Sequence, residues 1–400
     1  MKKRILFVDD EHMVLEGLRR MLRPMRQEWE MEFLGSGAHA LQRMKEATFD
    51  VIVSDMRMPG MNGAELLNNV MELHPRTIRF VLSGHADEDL ILKCVGSTHQ
   101  YISKPCEPEI LKATIQRVTS LRANVENDRV QTLVAKLDRL PTLPSIHVQL
   151  TSLLASPNVP MDEIGALLGR DMAISASLLK VVNSAFFGLR REVTTPVEAV
   201  AYLGVDVIKA LVLGIPVFSE FEGSLPGKFS GQTLWNHSLQ VAIGAERIAR
   251  FEGADIVMVK ESFTAGLLHD VGKLVLAANF AADYSSCLKR RQDGHCSGLD
   301  AEREGLGATH AEVGGYLLGL WGLPLPVVQA VAFHHEPRTA SKRGFSGLMA
   351  VHAANVLQQQ LPSSVGEGAM LDEVYLEQAG FLNRVDAWKY ELQKGPGIAV

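Results

Sequence analysis

Side chains able to carry out phosphoryl transfer follow the predicted strands of the first 120 residues. Asp9 and Asp10 come after the first strand, and Asp55, Ser83 and Lys104 stand at the ends of the third, fourth and fifth. Because the parallel strands of an open sheet end at one crevice, we expect these side chains to converge there. Three carboxylates in one crevice repel each other unless a hard cation such as Mg²⁺ lies among them. Asp55 could then attack a phosphoryl donor in line, with Lys104 and Ser83 holding the phosphoryl oxygens.

A second group of side chains, able to bind a metal ion, lies in the later part of the sequence. Its members are His237, His269, Asp270, His310, His334 and His335. Helix bundles build metal sites by projecting such ligands inward from facing helices, and imidazole with carboxylate suits Fe, Mn, Zn or Ni. Any one of these histidines alone is more often a hydrogen-bonded structural residue. Five histidines and one aspartate in this order indicate a candidate transition-metal site.

The elements that position the first group alternate as βα units do on a parallel sheet. The predicted strands are 4–8, 31–34, 50–54, 78–82 and 100–103. Between them, apolar residues recur at helical spacing, as at Val14, Leu18 and Met21. The pattern predicts an α/β, flavodoxin-like, doubly wound domain over residues 1–120.

The segment after this domain allows two interpretations. From Pro108 to about Leu140 there is no Gly and no interior Pro. The residues at a spacing of three or four on one face are Leu111, Ile115, Val118, Leu121 and Val125. The segment is either a last helix packed on the sheet and followed by a solvated linker, or one long helix that forms a homodimer or transmits a signal.

Strand signals end after residue 144, which predicts an all-α region with Gly and Pro between its helices. We assign a helical linker to residues 121–138, a helical domain to 139–345 and a carboxy-terminal helical extension to 346–400. In the extension, Leu371, Val374, Leu376 and Trp388 indicate short helices that cover the bundle.

Composition and charge narrow the classes of function. A net charge of −6 gives no general attraction to nucleic acid, and we find no helix-turn-helix pattern. No stretch approaches the ~20 apolar residues of a membrane span, and the apolar run 5–8 is too short for a signal peptide. The four cysteines lack a CxxC spacing, which fits reduced thiols. We expect a cytoplasmic protein.

Four stretches of the first 120 residues together form a recognisable pattern. They are Phe7-Val8-Asp9-Asp10-Glu11, Asp55-Met56-Arg57-Met58-Pro59-Gly60, Leu82-Ser83-Gly84-His85 and Tyr101-Ile102-Ser103-Lys104-Pro105. Through them the region resembles the receiver domains of bacterial response regulators. The resemblance implies that Asp55 accepts the phosphoryl group, Asp9 and Asp10 bind Mg²⁺ with Asp55, and Lys104 contacts the phosphate. It also implies that Ser83 and Tyr101 form a switch pair, that Lys104-Pro105 is a cis bond, and that a sensor histidine kinase is the phosphoryl donor.

The later region resembles the HD superfamily of metal-dependent phosphohydrolases through Leu268-His269-Asp270-Val271-Gly272-Lys273. It is more similar to the HDOD domain, a regulatory output module. The supporting stretches are Leu140-Pro141-Thr142-Leu143-Pro144, Leu178-Leu179-Lys180-Val181-Val182-Asn183, Trp235-Asn236-His237-Ser238, His310-Ala311-Glu312-Val313-Gly314 and Trp321-Gly322-Leu323-Pro324.

This region departs from the hydrolases in three ways that bear on activity. No GYP sequence follows the paired histidines, Asn355 stands where the closing aspartate is expected, and Thr233 stands one turn before His237 in place of a carboxylate. The set of metal ligands therefore looks incomplete, which favours histidines that form a hydrogen-bonded core network.

Two functions follow from these resemblances. In the first, phosphorylation at Asp55 changes how the HDOD domain is presented to a protein partner. In the alternative, the receiver controls a metal-dependent phosphohydrolase that acts on a cyclic dinucleotide or a nucleotide. The sequence favours the first and leaves enzymatic activity open. It does not identify the kinase, the downstream partner, the direction of the response or the oligomeric state.

Overall fold

The computed structural model describes residues 2–83, 97–124, 128–135, 149–150, 153–154, 160–183, 192–214, 230–294, 296–340, 344–359 and 370–393. In these ranges, an amino-terminal α/β domain is followed by helices alone. No helix within them is both long enough and apolar enough to cross a bilayer.

The amino-terminal domain contains a five-stranded parallel sheet. Its strands are β1 (Lys3–Val8), β2 (Trp29–Leu34), β3 (Val51–Asp55), β4 (Ile78–Ser83) and β5 (Gln100–Ser103). They lie in the order β2-β1-β3-β4-β5, so β5 is an edge strand. The observed bounds agree with the predicted strands to within two residues, and the doubly wound fold class is confirmed.

Helices cover both faces of this sheet, which explains why its central strands contain continuous apolar runs such as residues 5–8 and 51–53. They are α1 (His12–Met21), α2 (Gly37–Glu46), α3 (Gly63–Leu73) and α4 (Pro108–Asn124). Alternate residues of β1 enter different cores: Ile5 and Phe7 pack with α1 and α4, while Leu6 and Val8 pack with α2 and α3. The predicted helix between β4 and β5 lies outside the described residues.

Helix α4 shows how the first part of the segment 108–140 packs. Leu111, Ile115 and Val118 are fully buried in the core that includes one face of the sheet. This part of the stripe therefore packs within the chain, as the simpler interpretation predicted. A further helix, α5 (Asp128–Ala135), follows, and Val125 lies outside the described residues.

The remaining described elements are helical, which confirms the all-α prediction for this region. They are α6 (Met161–Leu168), α7 (Met172–Val182), α8 (Pro196–Gly214), α9 (Gly231–Phe251), α10 (Ile256–Leu268), α11 (Val271–Asn279), α12 (Ala281–Gln292), α13 (Gly298–Leu306), α14 (His310–Leu320), α15 (Leu325–Phe333), α16 (Gly347–Gln359), α17 (Glu373–Ala379) and α18 (Val385–Gln393). Helices α9 and α10 approach closely because Gly266 faces the backbone of Ala242.

The last two helices cover the bundle. Trp388 on α18 is fully buried, and its Nε1 donates to Glu252 Oε1 at 2.7 Å. Arg384 Nε donates to the same oxygen at 2.9 Å. The amphipathic pattern of this segment therefore corresponds to helices that close the carboxyl end of α9.

Burial of one histidine is expected to make the stability of the protein dependent on pH. His99 lies just before β5, and its Nδ1 accepts a hydrogen bond from the backbone N–H of Arg79 at 3.0 Å. Burial, followed by the charges of Arg79 and Lys180, holds the pKa of His99 well below its usual value. The unfolded chain therefore binds the proton more tightly than the folded chain. Stability from this group is present above about pH 6.5 and is lost as the pH falls below it.

We expect His99→Gln to flatten the fall in the free energy of unfolding between about pH 7 and pH 5, by up to roughly 1.4 kcal/mol per pH unit. Denaturant unfolding at a series of pH values measures this slope. His39→Gln, at an exposed position, is the control. An unchanged slope in His99→Gln would show that His99 does not titrate on unfolding.

Candidate functional site

The side chains predicted to act on a phosphoryl group meet at the carboxyl edge of the sheet. Lys104 Nζ donates to Asp9 Oδ2 at 2.7 Å and also bonds Asp55 Oδ1, although it lies 95 residues from Asp9. Asp9 and Asp55 are buried, whereas Asp10 is exposed. The second oxygen of Asp55 accepts the backbone N–H of Arg57 at 2.8 Å. The predicted convergence of Asp9, Asp55 and Lys104 is present.

Burial and neighbouring charges have opposite effects on the pKa values of Asp55 and Lys104. Burial raises the pKa of Asp55, and the Lys104 ammonium offsets only part of that rise. Burial lowers the pKa of Lys104, but its bonds to Asp55 and Asp9 outweigh burial and raise it. The ligand oxygens of Asp9, Asp10 and Asp55 do not all lie within 4.8 Å of one another in this structure. Lys104 offsets part of the negative charge of Asp9 and Asp55.

The residues of the expected switch pair lie on neighbouring strands beside this pocket. Ser83 ends β4 opposite Ser103, and Tyr101 is paired with Val81. Ser83 and Tyr101 are both buried, and the Ser83 carbonyl accepts the backbone N–H of Lys104 at 2.8 Å. The Lys104-Pro105 peptide bond is cis.

All six predicted metal-ligand candidates meet inside the helical region. His237 lies on α9, and His310 is the first residue of α14. His269 and Asp270 occupy the junction of α10 and α11, and His334 and His335 follow α15. Two groups of side chains have ligand atoms within 4.8 Å of one another, and both contain Asp270. One adds His310, His334 and His335, and the other adds His237 and His269.

In three of the histidine rings, Nδ1 has a hydrogen-bond partner outside the cluster, so that Nε2 points toward Asp270. The Nδ1–H of His269 donates to the Gly266 carbonyl at 2.7 Å, and that of His334 donates to the Val331 carbonyl at 2.8 Å. His310 Nδ1 lies 2.8 Å from a carboxylate oxygen of Glu302. Such partners leave the Nε2 lone pair free to bind a metal, as is usual for ligating histidines.

The inward-facing atoms are close to Asp270, but most are not bonded to it. The Nε2 atoms of His310, His269 and His334 lie 3.2, 3.3 and 3.8 Å from its carboxylate oxygens. His269 Nε2, His334 Nε2 and Asp270 Oδ1 are buried without a hydrogen-bond partner. Two ligands that share an ion at ~2.1 Å are themselves roughly 3 Å apart, so this arrangement fits a bound divalent transition metal.

The charges of Asp270 and its neighbours shift one another's pKa values. Burial opposes ionisation of Asp270, but His269 and Lys273 together hold its pKa well below the usual value. Lys273 Nζ donates to Asp270 Oδ2 at 2.9 Å. Burial opposes protonation of His310, yet Glu302 and Asp270 raise its pKa to about 9. Burial, followed by the charges of His269 and His310, holds the pKa of His334 well below its usual value, although Asp270 acts in the opposite direction.

Comparison with known proteins matches each domain to a family. Residues 5–116 match the response regulator receiver domain, and residues 140–337 match the HDOD domain. The chain joins a response regulator receiver domain to an HDOD domain. The pocket formed by Asp9, Asp55 and Lys104 therefore belongs to the receiver domain, and the histidine cluster belongs to the HDOD domain.

This chain matches only part of the length of two curated relatives. An uncharacterized protein of Treponema pallidum (strain Nichols) is 27% identical over 257 residues, which are 62% of this chain and 46% of that protein. The hydrogenase transcriptional regulatory protein HoxA of Bradyrhizobium diazoefficiens is 33% identical over 119 residues, 29% of this chain and 24% of HoxA. This chain thus spans less than half the length of either relative.

Two solved structures are similar over larger parts of the chain. The MmoQ response regulator from Methylococcus capsulatus str. Bath is 25% identical and covers 63% of this chain and 98% of its own, with a TM-score of 0.48. An HDOD domain protein with unknown function from Geobacter sulfurreducens is 23% identical and covers 70% of this chain and 93% of its own, with a TM-score of 0.38.

The sequence favours a hydrogen-bonded core network of histidines, and this stays a prediction. Hydrogen bonds do occur on the inner side of the cluster, where His335 Nε2 lies 3.1 Å from His310 Nε2. Asn355 does face the cluster, and its Oδ1 lies 3.0 Å from His237 Nε2. Thr233 is exposed and bonds Ser230, so it adds nothing to the centre.

The sequence analysis missed the residue that positions His310. Glu302 accepts both the backbone N–H and a ring nitrogen of His310, at 2.8 Å each. The only available signal was an acidic residue eight positions before the histidine. His310, Glu302 and His335 also line a cavity of about 280 Å³, together with Tyr284, Arg291 and His352.

Proposed function

We propose that this protein is a phosphorylation-controlled response regulator, in which Asp55 is the phosphoacceptor and the HDOD domain gives the output through a protein partner. The observation that supports it is the position of Lys104, which bonds Asp9 and Asp55 at the carboxyl edge of the receiver sheet. A sensor histidine kinase in the cytoplasm would be the physiological donor.

The residues of the pocket divide the phosphoryl-transfer chemistry among them. Asp9, Asp10 and Asp55 would hold Mg²⁺, whose charge offsets that of the donor and of the carboxylates. An Asp55 oxygen forms a bond to phosphorus while the bond to the leaving group breaks, which gives an acyl phosphate. Lys104 and Ser83 then hold the phosphoryl oxygens. Ser83 and Tyr101, as the switch pair, would rearrange when Asp55 is phosphorylated.

Affinity capture from the native host tests the output. The full-length protein, loaded with acetyl phosphate and Mg²⁺, is compared with Asp55→Asn treated in the same way. We expect at least one protein to be retained in proportion to phosphorylation of the wild type. Identical retention by both proteins would contradict control through a partner.

The inward-facing Nε2 atoms favour a second candidate, a receiver-controlled phosphohydrolase. His237, His269, Asp270, His310, His334 and His335 would hold a transition metal, which would supply an activated water for attack on a phosphoester. Asn355 argues against hydrolysis, because an amide oxygen is a neutral and weaker ligand than a carboxylate.

Turnover separates the two candidates, and elemental analysis shows whether Asp270 helps to hold a metal. We expect transition metal to purify with the wild type and not with Asp270→Ala. For the regulator, neither protein hydrolyses cyclic di-GMP or common nucleotides above background, even with added Mn²⁺ or Fe²⁺. Turnover by the wild type that is lost in Asp270→Ala would favour the phosphohydrolase.

A further inference from the structure

The edge strand of the receiver domain makes a direct hydrogen bond to the HDOD domain. Gln100 Nε2 donates to the carbonyl oxygen of Leu320 at 2.6 Å, and Gln100 is only 1% exposed. Leu320 is the last residue of α14, and the last carbonyls of a helix have no partner within it. The receiver domain therefore supplies a donor that completes the end of an HDOD helix.

A glycine allows the two domains to approach closely at this point. Gly322 has φ +82°, and a Cβ there would lie 2.7 Å from Arg117 Nη2 and 3.0 Å from Gln100 Nε2. Arg117 lies on α4 of the receiver domain; burial lowers its pKa, and the charge of Glu192 offsets part of that fall. The contact therefore combines close packing at Gly322 with a hydrogen bond.

Helix α5, in the segment predicted as a linker, makes a similar contact with helix α13 of the HDOD domain. Arg129 on α5 donates from Nε to the carbonyl of Leu306, the last residue of α13, at 3.0 Å. A Cβ at Gly307 would lie 2.8 Å from Arg129 Cγ. Side chains from outside the matched HDOD residues thus close the carboxyl ends of both α13 and α14.

The same two helices hold part of the histidine cluster. Helix α13 carries Glu302, and α14 begins with His310, whose N–H and ring Glu302 binds. A Cβ at Gly272 would lie 1.9 Å from the His310 carbonyl oxygen, so α14 also packs tightly on α11. A small shift of α14 would therefore change the position of His310 relative to Asp270.

The receiver end of this chain of contacts lies close to the phosphoacceptor. Gln100 begins β5 and is adjacent to Tyr101, and the strand ends one residue before Lys104. Lys104 bonds Asp55. The two candidate sites are therefore joined through one strand, one interdomain hydrogen bond and one helix.

We propose that the Gln100–Leu320 contact is the route by which the receiver domain controls the histidine cluster. Phosphorylation of Asp55 displaces Lys104 and β5, weakens the contact and releases α14, which loosens the hold of Glu302 on His310. This inference rests on the proposed phosphorylation of Asp55. Coupling of this kind is commonly worth a 5-fold to 150-fold change in an equilibrium.

Hydrogen exchange at the His310 amide, followed by NMR in the full-length protein, tests this route, because Glu302 protects that amide. Gln100→Ala removes the donor, and Gln100→Glu keeps the shape while placing an acceptor against the Leu320 carbonyl. We expect both unphosphorylated variants to exchange at least 5-fold faster than wild type. Acetyl phosphate should accelerate exchange in the wild type and add little in the variants. Gln116→Ala is the control, since Gln116 on α4 donates to Glu28 within the receiver domain.

Two results would overturn the route: wild-type exchange in both Gln100 variants, or the same acceleration in Gln116→Ala. Phosphorylation is read by mass in the same samples. If the wild type takes no label, the proposed function fails, while the Gln100 variants still decide whether the contact controls His310. If it takes the label without a change at His310, the route is wrong and the proposed function stands.

Discussion

Asp55→Asn is expected to reduce labelling by acetyl phosphate and Mg²⁺ to the level of a blank without protein. The amide cannot form an acyl phosphate, and no other carboxylate in the pocket is bonded both to Lys104 and to the Arg57 backbone N–H, the arrangement that positions an Asp55 oxygen. Intact-protein mass spectrometry measures the fraction labelled, and peptide mapping locates the label.

Asp50→Asn is the matched control for this result. Asp50 precedes the same strand at its opposite end, where its carboxylate accepts the backbone N–H of Arg4 at 2.8 Å, a role that asparagine can also fill. Asp50→Asn should therefore be labelled as the wild type is. Substantial labelling of Asp55→Asn would show that another residue accepts the phosphoryl group.

Asp270→Ala is expected to lower the free energy of unfolding by about 3–5 kcal/mol, because it leaves the buried Lys273 ammonium without its carboxylate. This corresponds to a fall in Tm of roughly 10 °C for a domain of this size. Loss of bound metal acts in the same direction, because ligands that bind only the folded state stabilise it. Thermal unfolding followed by circular dichroism, with and without a chelator, measures both effects.

The double variant Asp270→Ala/Lys273→Met separates charge burial from metal loss. Without the ammonium, the variant should regain much of the lost stability in the presence of chelator. Asp283→Ala, at an exposed position in the first turn of α12, should change the free energy of unfolding by less than about 1 kcal/mol. A Tm for Asp270→Ala within ~2 °C of the wild type would show that the ion pair between Asp270 and Lys273 does not stabilise the fold.

The receiver pocket could be predicted because its residues occupy fixed places at strand ends. Asp9, Asp55 and Lys104 follow apolar runs, and the geometry of a parallel sheet brings such positions to one edge. The role of the helix that begins at Pro108 could not be decided in the same way. The spacing of Leu111, Ile115 and Val118 is the same whether the helix packs on its own sheet or on a second copy.

The chemistry of the histidine cluster depends on atoms that the sequence does not specify. The carbonyls of Gly266 and Val331 determine which nitrogen of His269 and His334 faces inward, and this follows only from how the helices end. The contact between Gln100 and Leu320 joins residues 220 positions apart and has no sequence motif. Close packing between domains, rather than local pattern, produces it.

Hydrogen exchange across the whole chain, measured by mass spectrometry with and without acetyl phosphate, tests most directly whether phosphorylation of Asp55 controls the HDOD domain. We predict faster exchange on phosphorylation in peptides that cover residues 298–323, which hold α13, α14 and Gly322. Asp55→Asn should show no change under the same conditions. Changes confined to residues 2–124 of the labelled wild type would contradict control of the HDOD domain by the receiver domain.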